Sequence, residues 1–313
     1  MNRARIWRLA QGVLLAALLV WIGRELVEQR DALRAAAGAL RVRWGFIAAA
    51  SVIVLGTYAA LVQSWRMLMA GWGTTLPYGA AVRVWTTANL GRYLPFKIWS
   101  VAALAVLAQR EGASAVGATG AALLGTLLNI GAGFGVVALA GPSVLDALGP
   151  NYRIAAWGAL ALFMVGVLLL PWILPPVVRA ITQRRQGVTE PVQPLPAGLI
   201  WSAVAINALS WVGYGVAFHL LALGLLPAVS GATLGFIAIW TASYLVGYLV
   251  LIAPGGIGAR EGAMVAAFAA LGLVTATDAT ILAIASRLWL LVLEVLPGLI
   301  SLALTPARRS RPS

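Results

Sequence analysis

Pro254-Gly255-Gly256-Ile257-Gly258-Ala259-Arg260-Glu261-Gly262 breaks an otherwise apolar region over 231–272. Proline lacks the N–H a helix needs, and three glycines in five residues favour a turn. Each half of the region is too short for the ~20 residues of a comfortable spanning helix. We read it as a hairpin of two half-helices, of the re-entrant kind. Irregular backbone at membrane depth is tolerated only inside protein or beside a water-filled cavity. This stretch therefore calls for a helical membrane bundle with an interior site.

A second region of the same kind covers 79–108, interrupted by Arg83, Asn89, Arg92, Pro95 and Lys97. Trp85-Thr86-Thr87-Ala88-Asn89-Leu90-Gly91-Arg92-Tyr93-Leu94 lies over Trp240-Thr241-Ala242-Ser243-Tyr244-Leu245-Val246-Gly247-Tyr248-Leu249, with five of ten positions identical and a spacing of 155 residues. After a four-residue insertion, Pro95 and Ile98 match Pro254 and Ile257. An apolar sequence of few residue types also yields such matches by chance. The remaining apolar runs, at 9–22, 44–65, 113–140, 154–178, 197–223 and 279–304, read as six full spans. The first, behind Arg3, Arg5 and Arg8, is expected to be an uncleaved signal anchor, because it ends at Arg24 and Glu25 without a nearby cleavage site. Trp44 and Trp65 bracket the second span and suit the headgroup level. Three full spans separate the hairpins, so a duplicated hairpin sits inverted relative to its copy. The expected architecture is an all-α polytopic membrane protein, one domain over 1–313, with six spans, two broken-helix hairpins and an inverted repeat. Transporters built this way hold substrate at the repeat interface.

Composition agrees. The 313 residues are 61% hydrophobic and 10% charged, with a mean hydropathy of +0.93, against about 25% charged in soluble domains. A soluble enzyme, a disordered chain and a nucleic-acid-binding domain are excluded. The net charge of +13 belongs mainly to Lys and Arg between apolar runs. With both termini cytoplasmic, fourteen of the 22 Lys and Arg lie inside, as the positive-inside bias requires. The arginines over 24–43 are the exception, and Glu25, Glu28 and Asp31 would pair with them on an amphipathic surface helix. No cysteine and a single histidine leave no basis for a thiolate, zinc or haem site, and no metal or cofactor is expected.

Function should then reside in the few polar residues at depth. A charge at mid-membrane costs about 2.5–3.5 kcal/mol on insertion scales and needs a partner or water. The candidates are Arg92, Lys97, Arg260, Glu261, Arg287 and Glu294, with Asn89 beside them. Four of the six are cations, and deep cations suit an anion such as a phosphate. Gly255, Gly256 and Gly258 can converge backbone N–H groups on one oxygen, with the N-terminus of the following helix behind them. The alternative is that these glycines only turn the chain and allow close packing. Glu261 reads as a capping acid, as a partner for Arg260 or Arg287, or as a gate or proton-coupling group. Arg287 and Glu294, seven apart on one helix face, are expected to meet partners across the bundle rather than each other. His219 reads as an interfacial or core residue, and Gly117, Gly120, Gly125, Gly131, Gly133 and Gly135 as a packing surface. Trp85 and Trp240 are candidates for a cavity wall. Nothing resembles a hydrolytic dyad, a catalytic triad, a Walker loop or a dinucleotide fingerprint, so no enzyme is expected.

Asn89-x-x-x-x-Leu94-Pro95-x-Lys97-Ile98-Trp99, Gln109-Arg110-Glu111, Pro254 to Gly262 and the later Arg287 together resemble the transmembrane region of the lysylphosphatidylglycerol synthase/flippase family, over about residues 9–304. The resemblance implies a bacterial inner-membrane, flippase-like module that moves an anionic or decorated phospholipid, or a polyprenyl-phosphate-linked sugar, between leaflets. In synthase members an aminoacyltransferase domain follows. Here the sequence stops at Ser313, so that activity is not carried over. Trp99 stands where the second hairpin has Gly258, a departure from the glycine-rich form. The alternative function is a non-transporting membrane partner or scaffold of an envelope glycosyltransferase or lipid-modifying enzyme.

Overall fold

The apolar runs become helices, because a backbone in lipid must satisfy its own hydrogen bonds. The computed structural model describes residues 42–93, 98–186, 194–229, 231–250 and 256–304. They hold ten α-helices and no strand. In chain order these are α1 Trp44–Gly71, α2 Tyr78–Asn89, α3 Ile98–Arg110, α4 Ala115–Ala140, α5 Pro142–Leu148, α6 Pro150–Gln186, α7 Ala197–Leu225, α8 Thr233–Leu249, α9 Ala259–Leu271 and α10 Ala276–Leu304. The chain divides into two compact units, Met1–Val42 and Arg43–Ser313, and all ten helices belong to the second.

Five helices are long and apolar enough to cross a membrane: α1, α4, the Pro150–Leu170 part of α6, α7 and the Ala276–Ser301 part of α10. These are five of the six expected spans. The run at 9–22, the charged segment after it, Lys97 and Gly255 lie outside the described residues. Both interrupted regions break as expected. Helix α2 passes into a 3-10 turn, Leu90–Tyr93, before α3 begins at Ile98, and α8 ends at Leu249 before α9 begins at Ala259. At 12, 13, 17 and 13 residues, these four helices reach only about 18–26 Å at 1.5 Å per residue.

The hairpin is only part of a larger repeat. Helices α1 to α4 correspond in order to α7 to α10. Helices α1 and α7 pack along their length, with Gly71 against Leu199 at one end and Gly224 against Ile47 at the other, so they run antiparallel. Midway, Gly213 stands against Thr57. These two are 156 residues apart, within a few residues of the offset between the two helices, so this crossing lies near the axis relating the halves. The half-helices then exchange partners: α2 packs on α10, and α8 packs on α4. Leu90 abuts Gly298, and its counterpart Leu245 abuts Gly133. Thr86 and Thr241, another matched pair, each donate to the carbonyl four residues back, of Val82 (2.8 Å) and Ile237 (2.7 Å). Helices α5 and α6 stand outside this repeat, with α6 against α4.

The glycines of α4 act as a packing surface with one exception. Trp72 lies on Gly120, Phe163 on Gly131, Trp211 and Leu245 on Gly133 and Leu160 on Gly135, and Gly117 meets Thr74 beside the Ser114 cap. Gly125 instead lines a cavity. A second expectation needs correction. Trp44 is 73% exposed, as a headgroup anchor should be, but Trp65 is 3% exposed. Helix α1 continues beyond Trp65 to Gly71, which places that indole inside the bundle rather than at its rim.

Candidate functional site

Where the two halves meet they enclose a cavity of about 170 Å³, far above the roughly 10–15 Å³ that holds one water. Its walls come from matching positions in both repeats. Helix α10 contributes Arg287, Leu290, Leu291 and Glu294, and α4 contributes Ala122, Gly125, Thr126 and Asn129 at the same intervals. Arg92 and Tyr93 on the 3-10 turn have Gly247 and Tyr248 of α8 as their counterparts, and Val101 of α3 matches Arg260 of α9. The walls correspond in position but not in charge. Arg260, Arg287 and Glu294 in one half stand opposite Val101, Ala122 and Asn129 in the other.

Glu294 is the hub of one network. It is 6% exposed and pairs with Arg92 at 2.5 Å. The hydroxyl of Tyr93 donates to its second oxygen at 2.6 Å, and that of Tyr58 to the first at 3.2 Å. Arg92 also donates to the Tyr244 hydroxyl at 2.9 Å. Donors from α1 and the 3-10 turn thus hold one carboxylate of α10. A second network fixes the start of α9. Gly258 caps that helix, and its N–H donates to the Glu261 carboxylate at 2.8 Å. The other Glu261 oxygen takes Arg287 at 2.6 Å. Glu261 is therefore both a capping acid and a partner for Arg287, and Arg287 and Glu294 indeed meet partners other than each other.

Arg260 differs from both. It is 6% exposed, and among the described residues no carboxylate pairs with it. Its guanidinium lies 4.5 Å from the Trp240 ring centroid and 5.1 Å from that of Tyr244, with a long bond of 3.4 Å to Ser286. Aromatic faces attract a cation without neutralising it. Gly247 makes room for this residue, because a Cβ there would stand 2.8 Å from the Cβ of Arg260.

Of the residues expected to bind substrate, Asn89, Arg92, Arg260 and Arg287 line the one cavity. Gly256, Gly258 and Glu261 form the turn behind it. Gly256 has φ +73° and stands against the backbone of Gly247, which a Cβ would meet at 2.6 Å. Close packing thus accounts for Gly256, and the Gly258 N–H is already engaged by Glu261. Trp85 lines the cavity, whereas Trp240 is buried beneath Arg260. His219 stacks on Phe236 and faces the Thr233 hydroxyl. The sequence alone marks Trp65 only as a headgroup anchor and does not single out Tyr58, Asn129 or Asn207. The two amides had a signal, each being a rare polar residue in an apolar span. They bond to each other at 2.9 Å.

The fold defines the class first: an all-α polytopic membrane protein with broken helices in matching positions of two halves, the arrangement of many transporters. The family model of the lysylphosphatidylglycerol synthase TM region matches residues 8–298, and the chain belongs to that family. Membership gives it a flippase-like membrane role in general terms. No curated protein matches the chain.

Proposed function

We propose that the protein moves an anionic phospholipid or a polyprenyl-phosphate-linked lipid between the leaflets of a bacterial inner membrane, with both termini cytoplasmic. The observation that carries this reading is Arg260, a buried cation that no carboxylate pairs with among the described residues, in a cavity that also holds Arg92 and Arg287. A phosphate oxygen supplies the missing negative charge, and a guanidinium fork suits it. Glu261 sits across Arg287 and the N-terminus of α9 as an internal anion, and an entering phosphate competes with it for both. The cavity has room for a phosphate or a headgroup, not for acyl chains, so the tails stay in lipid.

The direct test is reconstitution of the purified protein in liposomes carrying labelled phosphatidylglycerol or polyprenyl phosphate. Protein-dependent acceleration of exchange is the expected result, and its absence for every anionic lipid overturns the proposal. The second reading is a non-transporting partner or scaffold of an envelope glycosyltransferase or lipid-modifying enzyme. It draws support from Arg92 and Arg287, which are both already paired. Recovery of a stable complex with such an enzyme, together with inert liposomes, favours it.

A further inference from the structure

We propose that the cavity selects a lipid phosphate whose headgroup is neutral and carries several hydroxyls, a sugar or a polyol, over one that is aminoacylated. This rests on the transport reading above and narrows its substrate. The cation-lined side of the cavity is suited to the phosphate. An ammonium group on the headgroup finds three arginines in the wall and one carboxylate, Glu294. Both Glu294 oxygens are taken, by Arg92, Tyr58 and Tyr93. The other nearby acid, Glu261, is held by Arg287 and the Gly258 N–H. A second cationic group would therefore enter against like charges with no acid to meet it, which is how a site rejects a competitor.

The rest of the wall is neutral and incompletely bonded. Among the described residues the Trp65 indole N–H is buried without a hydrogen-bond partner, in a side chain only 3% exposed that lines the cavity. Buried donors are nearly always satisfied, so an orphan beside a cavity marks a place for an acceptor. Asn89 also lines the cavity, and among the described residues its amide makes no hydrogen bond. Asn129 spends a side-chain N–H on Asn207 and its backbone carbonyl on the Trp211 indole, while its side-chain oxygen Oδ1 accepts nothing among the described residues. One indole donor, one free amide and one free side-chain carbonyl match hydroxyl groups, which both donate and accept. The Trp65 and Trp85 rings add apolar faces of the kind that pack on the C–H face of a sugar.

The test uses the full chain in detergent micelles, with competition read by native mass spectrometry. The probes are a polyprenyl-phosphate hexose, phosphatidylinositol, bare polyprenyl phosphate and lysylphosphatidylglycerol. The hexose lipid or phosphatidylinositol should be preferred over the bare phosphate by about fivefold, the scale of one or two neutral hydrogen bonds. Which of the two leads separates a polyprenyl from a glycerolipid source. Lysylphosphatidylglycerol should compete worst. Trp65→Phe, which keeps the ring and removes the N–H, and Asn89→Ala should each shrink the preference. Equal or tighter binding of the lysyl lipid, or a preference unaltered in both folded variants, overturns the inference and leaves the transport reading in place. Binding of none of the four overturns both.

Discussion

Arg92 and Arg260 share a cavity under opposite conditions, and the difference sets what their removal does. Arg92 and Glu294 compensate each other, and truncating one partner of a buried pair strands the other. Glu294→Ala should cost about 3 kcal/mol, the low end of that range, because the Arg92 side chain keeps 27% of its surface exposed. A thermal unfolding curve in detergent checks this, and an unchanged midpoint would contradict the pairing. Arg260→Ala strands no charge. It removes a long bond to Ser286 and two aromatic contacts, on the scale of about 2 kcal/mol or more for a desolvated cation, without leaving a buried charge behind, so the variant should fold. Its lipid exchange in liposomes should be lost. Retained exchange in a folded Arg260→Ala protein sinks the phosphate role of this residue. The candidate cations were legible in sequence because an arginine in an apolar run is rare. The Glu294 hub was not, because Tyr58 and Tyr93 lie 236 and 201 residues away in the chain and nothing local marks either as its partner.

At the scale of the element, the two hairpins could be read directly, since Pro and Gly punctuate a helix through local backbone chemistry alone. The role of each glycine could not, because it depends on a neighbour from another element. Gly256 and Gly258 both have positive φ, but only Gly256 is crowded, against Gly247. A side chain in the left-handed region costs roughly 1–2 kcal/mol. Gly258→Ala should lower stability by about that amount, and Gly256→Ala by clearly more, since its methyl would also press on the Gly247 carbonyl. Unfolding midpoints of the two variants, compared side by side, decide this. Equal losses would mean that the close approach of α8 to the turn is unimportant. Trp65 shows the same limit from the other direction. An aromatic residue near the end of an apolar window suggests a headgroup anchor, and only the further helical turns of α1 move it inside.

For the whole molecule, the charge count predicts a topology that a chain without cysteine makes simple to map. Single cysteines at Glu111 and Arg184 should react with an impermeant thiol reagent only from the cytoplasmic side. Those at Asp146 and Thr275 should react only from the other side. All four positions are exposed. Labelling of Glu111→Cys and Thr275→Cys from one face would remove the inversion of the two halves. That inversion was half visible in sequence. The ten-residue match exposed the hairpins, but α1 and α7 share too few residues to betray their kinship, which emerges from how they pack.

The crossing at Thr57 and Gly213 has a mechanical consequence. If one half rocks against the other, the crossing of α1 and α7, which lies near the centre of the seam, is the place we expect to act as the pivot. A methyl added at Gly213 would stand 2.6 Å from the Thr57 side chain. Gly213→Ala should therefore stiffen the hinge and slow lipid exchange while lipid binding by native mass spectrometry persists. Exchange at the parental rate would show that the halves do not pivot there. A joint so placed would lie apart from the charged wall, so that a change of charge there and a change at the joint could be separated by experiment.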